Sequence, residues 1–304
     1  MKVQDIEIPY AEDRSRRYRF FEILPGALTW TTLCLPFLLS WLAPTVAVFF
    51  ILIYLMLWVV KSAGLLVRNF QGIHRLHTYQ ELDWNGLLDD LETGKLVNGV
   101  NAPSWHQSNI GRELNMKPSE VYHAIVIAAY NESRAVLEPT IQSVLESNYD
   151  MKKVILVLAY EARDGAQSEK ACLDLAKEYG PKFAHTMAIK HPLTPKEIRG
   201  KGGNITYAAR KLEAYLKEAK IDPIDVVLTT LDADNRPHKN YLAALSYLYV
   251  VCPSRLYSSF QPVIMYTNNI WDAPAPMRVI ATGNGFWNIT LSMRPHMIRN
   301  FSSH

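Results

Sequence analysis

The sequence predicts an α/β protein with a mostly parallel sheet, helices on both faces of that sheet, and a transmembrane helical hairpin before it. Three observations predict this fold. Residues 23–60 carry no charged side chain. From residue 121 onward, short apolar runs alternate with segments of helical periodicity, which is typical of βα units. Polar and glycine-rich segments follow these runs, where such sheets bind ligands.

The uncharged run 23–60 is nearly twice as long as the roughly 20 residues that one helix needs to cross a bilayer. Two helices fit this length, over 26–42 and 44–67, with a turn near Pro44. Lys61 would reach from the second helix toward the membrane interface. The alternative is a buried helical hairpin in a soluble protein.

Basic residues flank the apolar run on both sides. Four arginines lie within 14–19, and Lys61, Arg68 and Arg75 follow the run. Since cytoplasmic flanks carry the excess of Lys and Arg, both ends are predicted to face the cytosol, which agrees with an even number of crossings.

Composition excludes several classes of protein. Of 304 residues, 20% are charged and 49% hydrophobic, with a net charge of +3. These values exclude a disordered chain and give no support for nucleic-acid binding. Cys34, Cys172 and Cys252 have neither the spacing of a zinc site nor that of a disulfide framework.

The segment 68–120 is predicted to connect the hairpin to the soluble part. Apolar residues recur at helical spacing over 79–92, which indicates either a helix on the membrane surface or an ordinary amphipathic connector. Residues 98–118 are rich in Asn, Gly, Pro and Ser and predict a loop.

The soluble part begins at residue 121. The predicted strands cover 121–129, 153–159, 183–189, 225–231 and 256–265. The predicted helices lie near 137–145, 166–180, 204–220 and 241–249.

Two of the segments near the strand ends carry recognisable chemistry. Asp232 and Asp234, one residue apart at the end of a buried strand, suit Mg²⁺ or Mn²⁺, although a solvated loop explains this pair equally well by itself. The segment 200–204 (Gly-Lys-Gly-Gly-Asn) opens a helix and favours a phosphate, or is simply a basic loop. It matches neither the Walker A nor the Rossmann pattern.

Taken together, the motifs are more specific than each alone. Ala-Tyr-Asn-Glu over 129–132, the segment 200–204 and Asp-Ala-Asp over 232–234 resemble the family 2 glycosyltransferases. The hairpin points to their membrane-embedded members, the cellulose-synthase-like and hyaluronan-synthase-like enzymes. The resemblance covers about 121–292 and implies a GT-A fold.

The resemblance also implies roles for individual residues near the nucleoside. Ala128, Tyr130 and Glu132 would line the base and ribose of a nucleotide-diphospho-sugar donor. Glu161, or Asp164 in its place, would hold the base.

Further residues would serve the diphosphate and the acceptor. Lys201 and Asn204 would contact the donor near its phosphates, and Asp232 and Asp234 would hold Mg²⁺ or Mn²⁺ on the diphosphate. The segment that contains Gln261 and Pro262 would border the acceptor.

The sequence departs from the family at its C-terminal end. The family's general base lies in an acidic motif after the acceptor strand, yet Asp272 is the only carboxylate after Asp234. The Gln-x-x-Arg-Trp motif and the later membrane helices are also missing. The expectation is therefore a domain incomplete at its C-terminus, with the base beyond His304.

The resulting expectation is an inverting glycosyltransferase in a bacterial plasma membrane. A cytosolic basic segment (1–22), the hairpin (23–67), an interfacial helix and linker (68–120) and the GT-A domain (121–304) would follow one another. It would transfer sugar from a UDP-sugar to a saccharide or lipid-linked acceptor. The alternatives are a nucleotide-sugar-binding fragment or pseudoenzyme without turnover, and a nucleotidyltransferase.

Overall fold

The computed structural model describes residues 14–97, 102–114, 116–163, 165–192, 200–268 and 270–294. Inter-residue contacts divide the chain into two compact units, Met1–Arg68 and Asn69–His304. The helices of the described residues are α1 (Arg16–Leu42), α2 (Pro44–Glu81), α3 (Trp84–Thr93), α4 (Ser104–Gln107), α5 (Arg134–Leu145), α6 (Ala166–Tyr179), α7 (Lys201–Ala219), α8 (Tyr241–Val251) and α9 (Ala275–Ser292). The strands are β1 (Tyr122–Ala129), β2 (Val154–Glu161), β3 (His185–His191) and β4 (Val226–Asp232).

The first unit contains α1 and the start of α2. Both helices are long and apolar enough to cross a membrane, by length and composition. They are separated by the single non-helical residue Ala43, in agreement with the predicted hairpin. Both extend further than the hydropathy pattern predicted. The side chain of Ser15 caps α1 by accepting a hydrogen bond from the Tyr18 N–H, so residues 16–22 of the basic segment are helical too.

The second unit is built on a four-stranded parallel sheet with the order β3-β2-β1-β4. Helices α5 and α6 pack on one face of this sheet, and α7 packs on the other. The side chains of β1 alternate between these two layers, with Ile125 and Ile127 toward α5 and Val126 toward α7. The predicted α/β fold is therefore confirmed: a parallel sheet is covered on both faces by helices, and two apolar helices precede it in the sequence.

The predicted strand over 256–265 is wrong. Among the described residues, this segment contains only a 3-10 turn at Arg255–Tyr257 followed by irregular chain. Leu256, Met265 and Tyr266 are exposed. The segment does not pair with β4, the edge strand of the described sheet on this side, and Pro262 within it lacks the N–H that a strand donates.

Helix α3 corresponds to the amphipathic pattern in the connector. Its apolar side chains, including Trp84 and Leu88, are buried in one cluster with residues of α8, such as Tyr247. The apolar face that suggested a helix on the membrane surface is thus covered within the second unit. Residues 98–101 and 115 of the predicted loop lie outside the described residues, and the loop includes the short helix α4.

Candidate nucleotide-sugar site

The carboxyl ends of β1, β2 and β4 come together because the strands are parallel and in register. Ala128 of β1 lies opposite Ala159 of β2 and opposite Asp232 of β4. The loops that follow these strands, together with the start of α7, surround a cleft of about 640 Å³. This is the edge at which open parallel sheets bind ligands.

The loop after β1 forms one wall of the cleft. Tyr130 is 54% exposed, and its ring is presented at the surface of the cleft. Asn131 adopts a left-handed conformation with φ of 61°, which Asn tolerates better than most residues. The backbone N–H of Tyr130 donates to the carboxylate of Glu132, so this side chain helps to hold the turn.

The end of β2 contributes Glu161, and the loop after it contributes Arg163. The Glu161 side chain is only 3% exposed, and its carboxylate pairs with the guanidinium of Arg163. The same guanidinium lies over the Tyr130 ring, 4.4 Å from its centroid. Arg163 therefore connects the loops after β1 and β2 at this end of the cleft.

The start of α7 forms the opposite side. Gly200 precedes the helix and Lys201 is its first residue. Asn204, 2% exposed, donates from Nδ2 to the carbonyl of Ala159 at 2.9 Å, which ties the first turn of α7 to β2. Its buried Oδ1 has no hydrogen-bond partner within the described part of the chain.

The turn after β4 presents two carboxylates side by side. Asp232 and Asp234 are exposed, whereas Ala233 between them is buried. The buried hydroxyl of Thr140, on α5, donates to the Ala233 carbonyl at 2.6 Å. Asn268 Nδ2 donates to the Asp234 carbonyl at 2.8 Å. The backbone of this turn is thus fixed from two directions while both side chains face solvent.

The cleft brings together all eight residues that the sequence predicted for the donor and the metal. They come from four separate segments of the chain. They are Ala128, Tyr130, Glu132, Glu161, Lys201, Asn204, Asp232 and Asp234.

Other residues from the sequence prediction are not part of this cleft. Gln261 and Pro262 lie exposed in the irregular segment after α8 and do not line it. Asp272 lies in a 3-10 turn before α9, also away from the lining. Asp164 lies outside the described residues.

The chemistry of the cleft fits a divalent cation that shares its ligands with a substrate. Asp232 and Asp234 supply the oxygen ligands that Mg²⁺ and Mn²⁺ prefer. Within the described residues, no group of three or more His, Cys, Asp or Glu side chains could enclose a metal by itself. Two carboxylates with open positions for phosphate oxygens are the arrangement that Mg²⁺ commonly uses in phosphate-binding sites.

Sequence reasoning missed two residues that organise the site. Arg163 stood in the loop after the second predicted strand, two residues beyond Glu161, but its contact with Tyr130 spans two loops and leaves no local signal. Thr140 lies on α5, and its hydroxyl bonds to Ala233, 93 residues away in the turn after β4. Only the packing of α5 beside β4 reveals this contact.

Replacing Thr140 with Val should lower stability and weaken cation binding together. The change keeps the shape of the side chain but leaves the Ala233 carbonyl without its donor, which costs about 1–3 kcal/mol for a buried group. We expect a lower denaturation midpoint and several-fold weaker Mn²⁺ binding. Ser143→Ala is the control, since the Ser143 hydroxyl donates to the Thr140 carbonyl within α5 and does not contact the turn after β4 in the described part of the chain. Unchanged Mn²⁺ binding in Thr140→Val would contradict a positioning role.

The sequence matches no protein-family model and no curated protein. Among solved structures, it is similar to the mannosyltransferase PcManGT from Pyrobaculum calidifontis, determined in complex with GDP-Man and Mn²⁺. The identity is 18% and the TM-score 0.32; the match covers 47% of this chain and 38% of the mannosyltransferase. The chain thus corresponds to well under half of the length of that protein.

Proposed function

We propose that this chain is a membrane-anchored glycosyltransferase that binds a nucleotide-diphospho-sugar together with Mg²⁺ or Mn²⁺. One observation carries the proposal: eight residues singled out in the sequence for this chemistry, from four distant segments, line a single cleft. Parallel strands bring their loops together in any case, so the support comes from the residue types that meet there: paired carboxylates beside a lysine at a helix N-terminus and an exposed tyrosine. The proposal includes membership of family 2 and the cellulose-synthase-like or hyaluronan-synthase-like type.

The nucleoside end of the cleft would be formed by Tyr130, Glu161 and Arg163. The Tyr130 ring offers a surface on which a base or ribose can pack. The Glu161 carboxylate is an acceptor only, so it suits a base with a ring N–H donor, as in uracil or guanine. We place a UDP-sugar first and a GDP-sugar second on this ground.

The diphosphate end would be formed by Lys201, Asp232 and Asp234. Lys201 stands at the first residue of α7, where the helix N-terminus and the ammonium both favour phosphate oxygens. The two aspartates would hold the cation. A bound divalent cation supplies positive charge that stabilises the nucleoside diphosphate as it leaves the sugar.

Transfer with inversion needs a base that takes the proton of the acceptor hydroxyl. In the described part of the chain, four carboxylates line the cleft: Glu132, Glu161, Asp232 and Asp234. Glu132 accepts from the Tyr130 N–H and Glu161 pairs with Arg163, while the two aspartates are the proposed cation ligands, so none of the four is assigned as the base. This observation favours a second candidate function, donor binding without turnover. The acceptor, a saccharide or a lipid-linked sugar, is part of the proposal.

The membrane anchor would be formed by α1 and the apolar part of α2. Both helices satisfy the length and composition of a membrane span. Arginines at both ends favour a cytosolic location for the second unit, where nucleotide sugars are made, and we propose the bacterial plasma membrane.

Calorimetric titration of the detergent-solubilised full chain tests the proposal. The ligands are UDP, GDP, ADP and CDP, each with and without Mn²⁺. We expect binding that depends on Mn²⁺, and a preference for UDP or GDP over ADP and CDP. Equal, Mn²⁺-independent binding of all four nucleotides would contradict the proposed site.

A further inference from the structure

Lys201 contacts one of the two carboxylates that the proposed function assigns to the cation. Its ammonium forms an ion pair with Asp232, with side-chain exposures of 29% for Lys201 and 56% for Asp232. Asp234 has no comparable ion pair within the described residues. The two carboxylates of the turn are therefore unequal: one already has a cationic partner that belongs to the protein.

An ammonium and a divalent cation compete for the same carboxylate. Both need the Asp232 oxygens, and at contact distance their charges repel each other strongly. Holding a divalent cation with both aspartates thus favours departure of Lys201 from Asp232. The lysine side chain has a flexible four-carbon stem, so its ammonium can turn to another anion without movement of α7.

The anion that Lys201 would meet next is the donor's diphosphate. The phosphates of a nucleotide that shares the cation with Asp232 and Asp234 would lie at the start of α7, beside Gly200 and Lys201. An ammonium released from Asp232 there can donate charge-assisted hydrogen bonds to a phosphate oxygen.

We propose that Lys201 and the divalent cation exchange on Asp232, and that this exchange couples cation binding to nucleotide binding. Lys201 neutralises Asp232 before the cation binds, and it becomes a phosphate ligand once the aspartates hold the cation. The inference rests on the proposed function. Because coupling is reciprocal, the nucleotide must also strengthen cation binding by the same factor.

The substitution Lys201→Met tests the exchange because its two expected effects have opposite signs. Without nucleotide, Mn²⁺ binding followed by electron paramagnetic resonance should become about three- to tenfold tighter, since the competitor for Asp232 is gone. With Mn²⁺ saturating, UDP binding should become about tenfold weaker, since a charge-assisted contact to phosphate is lost. A residue with only a structural role would change both affinities in the same direction or neither.

Two further variants complete the design. Lys201→Arg keeps the positive charge, and its guanidinium can form two hydrogen bonds to the Asp232 carboxylate. Without nucleotide, this variant should therefore bind Mn²⁺ more weakly than the wild type. Lys190→Met is the matched control: Lys190 pairs with Glu169 at 2.7 Å and does not line the cleft. It should leave both affinities at the wild-type value.

The outcomes separate failure of the inference from failure of the proposed function. Wild-type chain that binds Mn²⁺ and UDP, with Mn²⁺ affinity unchanged or weaker in Lys201→Met, overturns the exchange alone. Tighter Mn²⁺ binding in Lys201→Arg also overturns it, because the competing cation is still present. Wild-type chain that binds neither Mn²⁺ nor any of the nucleotides overturns the proposed function and the exchange with it.

Discussion

Replacing Asp232 and Asp234 together with Asn should abolish the part of nucleotide binding that depends on Mn²⁺. We expect a loss of about 100-fold or more, because even a change to a residue that only supports a metal ligand costs 10–100-fold. Both side chains are exposed, so the change should not disturb packing. The measurement is calorimetric titration of UDP and GDP at saturating Mn²⁺.

The matched control removes two negative charges elsewhere. Asp174 on α6 and Glu213 on α7 are exposed and do not line the cleft. Asp174→Asn with Glu213→Gln should bind nucleotide as the wild type does. Equal loss in the control would show that net charge, and not the turn after β4, governs binding. Retained Mn²⁺-dependent binding in the Asp232/Asp234 variant would remove the proposed metal site.

Acid should destabilise the second unit through His123. This side chain is fully buried in β1, its Nε2 lies 2.8 Å from the Ser246 hydroxyl, and its ring packs edge-on against Tyr149. Burial lowers the pKa of His123 from 6.5 to about 3. In the unfolded chain, His123 therefore binds a proton below pH 6.5. In the folded chain it stays neutral until about pH 3.

The stability that the folded chain gains from keeping His123 neutral is fully present above pH 6.5 and is lost as the pH falls toward 3. The free energy of unfolding should decrease by up to about 1.4 kcal/mol per pH unit, and by roughly 5 kcal/mol over the whole range. Urea denaturation of the detergent-solubilised chain at several pH values, followed by tryptophan fluorescence, measures this slope.

A substitution isolates the contribution of this histidine from that of the carboxylates. His123→Gln should lower stability at neutral pH but flatten the slope between pH 6 and 4, by about 1.4 kcal/mol per unit relative to the wild type. His77→Gln, an exposed position on α2, should leave the slope unchanged. The same slope in His123→Gln and wild type would show that His123 is not the group responsible.

Most of the sheet could be predicted from sequence, because its central strands β1 and β2 are buried on both faces and β4 opens on a short apolar run. β1, β2 and β4 each begin within one residue of the predicted start, where an apolar run follows a polar segment. Such a run has little choice of structure when it is too short for a helix. The prediction failed at 256–265, where the apolar residues are interrupted by Pro262 and the segment lies outside the described sheet.

The cleft residues could be predicted because parallel strands end together. Once β1, β2 and β4 were expected to be parallel, residues such as Tyr130, Glu161 and Asp232 had to meet at one edge. The contacts between them were not predictable. Arg163 reaches Tyr130 and Thr140 reaches Ala233 through side-chain packing that joins segments far apart in sequence.

A buried polar network between the connector and α8 was likewise not predictable from the sequence. His106 Nδ1 lies 2.8 Å from the Tyr247 hydroxyl, and its Nε2 lies 3.3 Å from the Asp90 carboxylate. These three side chains tie α3, α4 and α8 together. In the sequence they stand isolated, and burial alone makes their mutual hydrogen bonds necessary.

The ends of α1 and α2 were missed for a different reason. Hydropathy predicts the part of a helix that fits a bilayer, whereas caps and tertiary contacts decide where the helix stops. Ser15 caps α1, which begins at Arg16, ten residues before the predicted start at Gly26. In the second unit, Asn69 of α2 donates to the Phe286 carbonyl of α9 at 3.1 Å, so α2 has a partner beyond its apolar part.

The product released from the donor is the most direct test of the account. The full chain, reconstituted in liposomes with Mn²⁺ and with saccharide and lipid-linked sugar acceptors, is supplied with UDP-sugars and GDP-sugars labelled in the nucleotide, and the released nucleotide is identified. The account predicts nucleoside diphosphate, at a rate that falls to background in the Asp232/Asp234 variant. Release of nucleoside monophosphate, or no release despite Mn²⁺-dependent binding, would contradict a glycosyltransferase; the second result would establish donor binding without turnover.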